Sequence, residues 1–221
     1  SNTGLYVHTT TEFTGNFYYA ITLVNNSLED RNSFTSLSIP ISETYNSNWK
    51  PVLQNRSFVN ETWYTGLPSV RAYYYAGDQH FFTRWEAPQL TDLSSRPNNY
   101  RVVIPYNVAP PYKVDMNLHC WGSSLISCNR LLYYADGIYL TSTDWPPQSW
   151  WTGWNENLSF TSSQNQWTGI NRYYTMHRMI SFIDWMKTQW NIDSNRIMCT
   201  GWSMGGSGGK MFCLRYGNYF N

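Results

Sequence analysis

The chain has 221 residues, with 15 Lys+Arg against 14 Asp+Glu and a formal net charge of +1. That balance removes the bulk electrostatic case for binding nucleic acid or an anionic membrane surface. Only 13% of the residues are charged and 18% are aromatic, with Asn, Ser and Thr abundant; this polar-uncharged, aromatic-rich chemistry points to a secreted, extracellular protein that faces carbohydrate.

No apolar run approaches the ~18 residues of a membrane span. The chain opens at Ser1 with no initiating Met and no signal peptide, as a mature or excised segment would. Asn25, Asn55, Asn60 and Asn157 head N-x-Ser/Thr sequons and are candidate glycosylation sites. The four cysteines, Cys120, Cys128, Cys199 and Cys213, form no C-x-x-C pair and join no histidine cluster, so neither a metal site nor a cofactor is expected. Cys199 and Cys213 read as small buried apolar residues. Cys120 and Cys128 are close enough in sequence to bridge in an oxidising compartment.

Residues 1–65 read as β structure. Short strands are predicted at Gly4–Thr9, Phe17–Val24 and Phe34–Ile39, with a turn at Gly15-Asn16 and a stop at Pro40. The segment resembles part of a fibronectin type III or immunoglobulin-like sandwich, through the Tyr18-Tyr-Ala-Ile-Thr22 pattern of a late strand, although it is short beside the ~100 residues of a whole sandwich. From residue 66 onward the pattern changes. Strands are predicted at His80–Trp85, Asn99–Ile104, Val114–His119 and Gly137–Thr141, and then a loop rich in Trp and Pro from Asp144 to Trp154. A helix follows from about Arg172 to Trp190. Met176, Met179, Ile180, Ile183 and Met186 share its apolar face, and Arg178, Ser181, Asp184 and Lys187 fall largely opposite. A turn at Asn191–Asn195, in which Asp193 is structural with Arg196 as a partner, leads into a strand at Ile197–Thr200. This alternation predicts an α/β sheet over residues 66–221.

The strand runs into Gly201-Trp-Ser-Met-Gly205, a G-x-S-x-G run, with helix from Lys210 to Arg215. In a nucleophile elbow a serine occupies a sharp strand-to-helix turn that leaves no room for a Cβ at its flanking glycines. Three segments together resemble the first half of an α/β hydrolase of the esterase, polyester-depolymerase and prolyl-oligopeptidase-like type. They are Tyr100-Arg-Val-Val-Ile-Pro105, Leu118-His-Cys-Trp-Gly-Ser-Ser124, and Ile192 through Gly206 with its G-x-S-M-G-G ending. The resemblance implies a partial α/β-hydrolase sheet and a serine hydrolase acting on a carboxylic ester or a peptide. Ser203 would be the nucleophile, and the backbone N–H of Met204, with that of Cys120 or Trp121, would hold the oxyanion. Cys120 stands where that family usually has Gly, so its Cβ is expected to alter the loop.

The family's chain order is Ser, then Asp or Glu, then His. Only 18 residues follow Ser203, and none is Asp, Glu or His. The resemblance therefore implies that the triad acid and base come from a further C-terminal part or from a second chain, or that this is a degenerate hydrolase serving as a non-catalytic extracellular structural or glycan-binding protein. None of the four histidines matches a triad position, and His8, His80, His119 and His177 all read as structural. Trp145, Trp150, Trp151 and Trp154 lie beyond a strand C-terminus, where α/β sites open. They are candidates for stacking on a polysaccharide or an aromatic acyl group, or for packing as a lid. Polysaccharide, polyester and peptide are the substrate classes in view.

Overall fold

The structure, a computed structural model, describes residues 14–25, 28–43, 50–63, 73–86, 90–91, 96–106, 108–126, 137–144, 149–157 and 168–220. Four short strands come first: β1 (Gly15–Phe17), β2 (Thr22–Asn25), β3 (Leu28–Phe34) and β4 (Ile41–Glu43). β1 pairs antiparallel with β4, and β2 with β3. The single strand expected over Phe17–Val24 is broken in the middle. There the hydroxyls of Ser38 and Thr35 accept the N–H groups of Tyr19 and Ile21, while the carbonyls of Tyr19 and Ile21 accept from the backbone of Ser38 and Thr35. Side-chain hydroxyls have replaced ladder carbonyls, which also ends the strand expected at Phe34–Ile39 after its first residue. The strand expected at Gly4–Thr9 lies outside the described residues.

Next come β5 (Val52–Trp63), β6 (Tyr73–Glu86), β7 (Arg96–Pro105), β8 (Tyr112–Leu118) and β9 (Gly137–Ser142). A small ladder of β10 (Trp154–Asn155) and β11 (Asn171–Arg172) precedes α1 (Tyr174–Gln189), β12 (Ile192–Gly201) and α2 (Met204–Arg215). Six strands form one mixed sheet in the order β12-β8-β9-β7-β6-β5. β8 is parallel to both β9 and β12, and the other pairs are antiparallel. The molecule is of the α/β class, as expected. β5 pairs with β6 from Val52↔Thr83 to Trp63↔Tyr73, so residues 52–63, read from sequence as part of the N-terminal β segment, belong to this sheet. The division drawn at residue 65 falls in the connection between two paired strands.

The turn expected at Asn191–Asn195 sits inside β12 as an irregularity. Ile192 pairs with Tyr112 and Ile197 with Val114, so the extra residues bulge. Asp193 organises the bulge: its carboxylate accepts the Asn195 N–H at 2.9 Å and Arg196 Nε at 2.8 Å.

The sheet's two faces differ in kind. Val114, Met116 and Leu118 of β8, Ile138 and Leu140 of β9, and Ile197 of β12 are buried together with Met176, Met179, Phe182, Ile183 and Met186 of α1 and Met204 and Phe212 of α2. Burying each such side chain contributes about 1.5–3 kcal/mol. Alternate residues Asp115, Asn117 and Tyr139 are polar and buried, with half-buried Thr200 beside them. Thr200 donates to Asp115 at 2.6 Å and receives from Asn117 at 2.9 Å, and Tyr139 donates to Asn117 at 3.2 Å.

Arg178 departs from the sequence pattern. It was placed on the polar side of α1, yet it is buried. It belongs to a charged seam between α1 and the antiparallel half of the sheet. Arg84 and Glu86 form an ion pair at 2.6 Å with side-chain exposures of 2% and 0%. Asn98 Nδ2 donates to Glu86 at 2.5 Å, Tyr100 donates its hydroxyl to the same carboxylate, and Arg84 donates to the Arg178 carbonyl at 2.9 Å and to Ser181 Oγ at 3.1 Å. Burial pushes the Tyr100 hydroxyl up to about 12, so it stays a donor. Removing one member of a buried pair leaves the other charge uncompensated and costs about 3–5 kcal/mol. Glu86→Gln is therefore expected to lose about 3 kcal/mol in urea unfolding. A double-mutant cycle with Arg84→Met should return a coupling of about 2 kcal/mol; strictly additive losses would show that the two charges do not act together.

Candidate functional site

Between β12 and α2 the chain reverses over two residues, and Ser203 takes φ 55 and ψ −116. For a non-glycine residue this left-handed φ is held only where the surroundings impose it. Here two glycines do so by letting backbones touch, and a third makes room for a side chain. A Cβ on Gly201 would stand 2.4 Å from the Gly205 carbonyl, and one on Gly205 would stand 2.0 Å from the Leu118 carbonyl oxygen at the end of β8. A Cβ on Gly208 would lie 2.6 Å from the Trp151 ring. The turn is closed by Gly205 N–H to the Trp202 carbonyl at 2.9 Å and Ser207 N–H to the Ser203 carbonyl at 3.0 Å. Ser203 is exposed. Met204 opens α2, where an N–H has no carbonyl four residues back within the helix, and the helix dipole adds positive potential.

Gly201 pairs with Leu118, so the loop after β8 starts beside the elbow. His119 is its buried anchor. Nε2 receives the backbone N–H of Asp144 at 2.9 Å, and Nδ1 lies 2.9 Å from the Cys120 carbonyl. A backbone N–H can only donate, so Nε2 is the bare nitrogen and Nδ1 carries the proton. Burial pulls the His119 pKa below its usual 6.5; the bond to Cys120 opposes this and the nearby Arg178 charge adds to it. With both ring nitrogens engaged, His119 is structural. The Cys120 carbonyl also accepts Ser123 N–H at 3.1 Å, closing a turn through Gly122 at φ 69. Among the described residues, the non-glycine left-handed positions are Trp150, Trp151 and Ser203, so Cys120 is not one of them. Cys120 is a free thiol whose Sγ lies 3.1 Å from Ser123 Oγ, and its proposed partner Cys128 lies outside the described residues.

Of the tryptophans singled out in sequence, Trp145 lies outside the described residues. Trp150 and Trp151 occupy φ 54 and 68, so the chain turns sharply and sends the two side chains different ways. Trp151 is fully buried; its Nε1 donates to the His119 carbonyl at 3.3 Å and its ring lies 4.9 Å from the His119 ring. It wedges the loop against Gly208 of α2 and is not a stacking platform. Half-buried Trp150 meets Trp121 edge-on at 6.4 Å, and Trp121 is exposed. Trp154 is half-buried under the Arg172 guanidinium at 5.2 Å. Trp202, beside Ser203, is 70% exposed.

His80 and His177 are engaged away from the elbow. His80 on β6 lies among Phe82 and Trp190, and burial lowers its pKa. His177 on α1 is exposed and meets Tyr216 edge-on. His8 lies outside the described residues. Cys199 packs towards Gly209, and its thiol is raised well above its ordinary value by burial, with Cys213 and Asp115 adding to the rise. Cys213, expected to be buried, is exposed on the outer side of α2. Among the described residues no group of three or more His, Cys, Asp or Glu could hold a metal ion. Likewise no helix is long and apolar enough to cross a membrane. A cavity of about 550 Å³ lies over α1, lined by Lys50, His177, Asp184, Trp185, Thr188 and Tyr216 among others, none from the elbow or the loop after β8.

Sequence reading missed Asp144. It follows β9 at the C-terminal end of the sheet, and that position was the signal available. Ser149 donates to its Oδ1 at 2.6 Å, while Oδ2 is buried without a partner. Burial raises this carboxyl from 3.8 to about 6, against the opposing pull of Ser149, the Trp151 N–H and the Arg178 charge.

No protein-family model matches the sequence, and no curated protein matches it. Several solved structures do. One is a thermostable esterase, 20% identical with a TM-score of 0.43, covering 74% of this chain and 39% of the other. A second is an S-formylglutathione hydrolase from Agrobacterium tumefaciens, 14% identical with a TM-score of 0.48, covering 65% and 55%. A third is the CE1 ferulic acid esterase of the anaerobic fungus Anaeromyces mucronatus, 12% identical with a TM-score of 0.42, covering 80% and 59%. The neighbours are ester hydrolases. This chain spans 39%, 55% and 59% of their lengths.

Two predictions follow from the geometry. Gly205→Ala forces a Cβ onto the Leu118 carbonyl and should cost several kcal/mol in denaturant unfolding, because rigid backbone must move; unchanged stability would contradict the close approach. The second concerns Asp144. Its folded pKa lies above its unfolded value, so the stability of the neutral form is fully present below 3.8 and is lost as pH rises through about 6. Asp144→Asn should abolish that fall, making the variant more stable than the parent above pH 6 by roughly 1–3 kcal/mol, as read by urea midpoints across pH 4–8.

Proposed function

We propose that the chain is part of a secreted serine hydrolase that cleaves carboxylic esters or peptides, with Ser203 as nucleophile. The observation that carries this reading is the left-handed, solvent-exposed Ser203 at the junction of a parallel strand and a helix N-terminus, beside the end of β8. Such a turn is strained, and strain of this kind collects at reacting groups. Ser203 Oγ attacks the substrate carbonyl, giving a tetrahedral intermediate whose oxyanion points at the N–H of Met204 and at that of Cys120 or Trp121. Collapse expels the alcohol or amine and leaves an acyl-serine, which water then cleaves. The base that takes the Ser203 proton and its acid partner come from a further part of the protein or a second chain, since His119 has no free nitrogen. Trp121, Trp150 and Trp154 are the remaining candidates for holding an aromatic acyl group, a sugar ring or a polyester. Exposed Asn55 and Asn157 are consistent with glycosylation of a secreted protein.

The alternative is a non-catalytic extracellular protein that keeps this fold for assembly or glycan binding, and full engagement of the His119 ring favours it. A fluorophosphonate probe with peptide mapping separates the two in the full-length protein. Labelling at Ser203, absent in Ser203→Ala, supports the hydrolase. A folded full-length protein that does not label at Ser203 would sink the catalytic reading.

A further inference from the structure

The loop after β8 is held from a distance by α1. Arg178 Nη1 donates to Ser142 Oγ at 2.8 Å, and Nη2 donates to the Thr143 carbonyl. Ser142 Oγ is itself tied to the Asn99 carbonyl at 2.7 Å. The next peptide N–H, that of Asp144, is the one that meets His119 Nε2 at 2.9 Å. His119 Nδ1–H then reaches the Cys120 carbonyl at 2.9 Å. A peptide unit is planar with N–H and C=O opposed. Fixing the Cys120 carbonyl on the His119 and Ser123 side therefore fixes the direction of the Trp121 N–H, one of the two donors assigned to the loop. The Arg178 carbonyl accepts from Arg84 at 2.9 Å, so Arg178 is anchored in the charged seam at its other end.

We propose that Arg178 is a positioning residue for the oxyanion loop, acting through Thr143 and the Asp144 N–H to hold His119 as its Nδ1–H tautomer and thereby to orient the Cys120–Trp121 peptide. This rests on the hydrolase reading for its catalytic meaning but not for its structural content. The titratable and charged groups facing His119 are Arg178 from α1 and Asp144 from the segment after β9; the remaining neighbours are the Trp151 ring and the Cys120 carbonyl. The guanidinium disfavours a charged imidazole, and loss of the Asp144 bond would free Nε2 to take a proton.

The test uses the full-length protein with 15N-labelled histidine. Parent His119 should show one neutral tautomer, Nδ1–H, that protonates below pH 6.5. Arg178→Met should give a mixed tautomer and a midpoint shifted upward, with Arg178→Lys between the two because it keeps the charge and loses the two-point grip. Ser142→Ala, a milder change that removes one acceptor, should shift the ring signals in the same direction if Arg178→Met does not fold. Fluorophosphonate labelling of Ser203 should slow about tenfold or more in Arg178→Met, since a misdirected oxyanion donor costs about 10²–10³. Ring signals and midpoint unchanged in folded Arg178→Met, or in Ser142→Ala where Arg178→Met does not fold, overturn the proposal. Changed ring signals with an unchanged labelling rate overturn its catalytic part. A parent Ser203 that never labels removes the hydrolase reading, and the ring nitrogens still decide the tautomer latch.

Discussion

The closest backbone approach at the site is between Gly205 in the first turn of α2 and the Leu118 carbonyl, where a Cβ would stand 2.0 Å away. No side chain larger than hydrogen allows it, and flexibility elsewhere cannot relieve it because both partners are backbone. Once α2 is drawn this close to the end of β8, the two residues between β12 and α2 must reverse the chain, and Ser203 is forced to its left-handed φ. The same approach brings α2 close enough that Gly208 leaves room for the Trp151 ring. Trp151 then fills the space between α2 and His119. Position of the serine, position of the loop after β8 and burial of one tryptophan are thus consequences of a single contact.

The parallel and antiparallel halves of the sheet are stabilised differently. On the parallel side, apolar residues of β8, β9 and β12 face α1 and α2, and burial supplies the driving force. Along the antiparallel side, Arg84, Glu86, Asn98 and Tyr100 form a hydrogen-bonded seam against α1. Such a seam need not add net stability, because desolvating the charges offsets their attraction. It does constrain geometry: Arg84 alone reaches Glu86, Ser181 and the Arg178 carbonyl, so α1 cannot rotate or slide without breaking several bonds. The flat stack of Tyr100 on Phe182, at 3.8 Å and 8° between planes, fixes the same interface from the apolar side. A helix held this rigidly can carry position from the seam to the end of β9.

What was legible in sequence was local. G-x-S-x-G marks the Gly201–Gly205 backbone contact within five residues, so the elbow could be read from that motif, though not the approach of Gly205 to Leu118. Methionine and isoleucine spacing marked the apolar face of α1. The strands from His80 to Thr141 were found because alternation and β-branching are local too; three have ends within three residues of those expected, while β6 begins at Tyr73, seven residues before His80. Failures came where a distant partner decides. Arg178 was set on the solvent side because a periodicity argument assigns charge to the polar face; its burial depends on Ser142, Thr143 and Arg84, 36, 35 and 94 residues away. The pairing of residues 52–63 with β6 was not read because strand pairing leaves no mark on either strand. The two adjacent tryptophans look alike in sequence, yet consecutive left-handed φ values bury Trp151 and leave Trp150 facing Trp121.

One guanidinium faces two titratable groups and acts on both in the same direction. A positive charge lowers the pKa of any neighbour, but the outcome differs by type: a histidine held low stays neutral, and a carboxyl held low stays ionised. Arg178 does this to His119 and to Asp144. At His119 it works with burial, which also favours the neutral ring. At Asp144 it works against burial, and burial wins, leaving that carboxyl at about 6. Protonation of the His119 ring would break its bond to the Asp144 N–H, and burial and the Arg178 charge both oppose it. Burial and the guanidinium together favour the neutral ring on which the loop after β8 depends, even though a histidine is its central support.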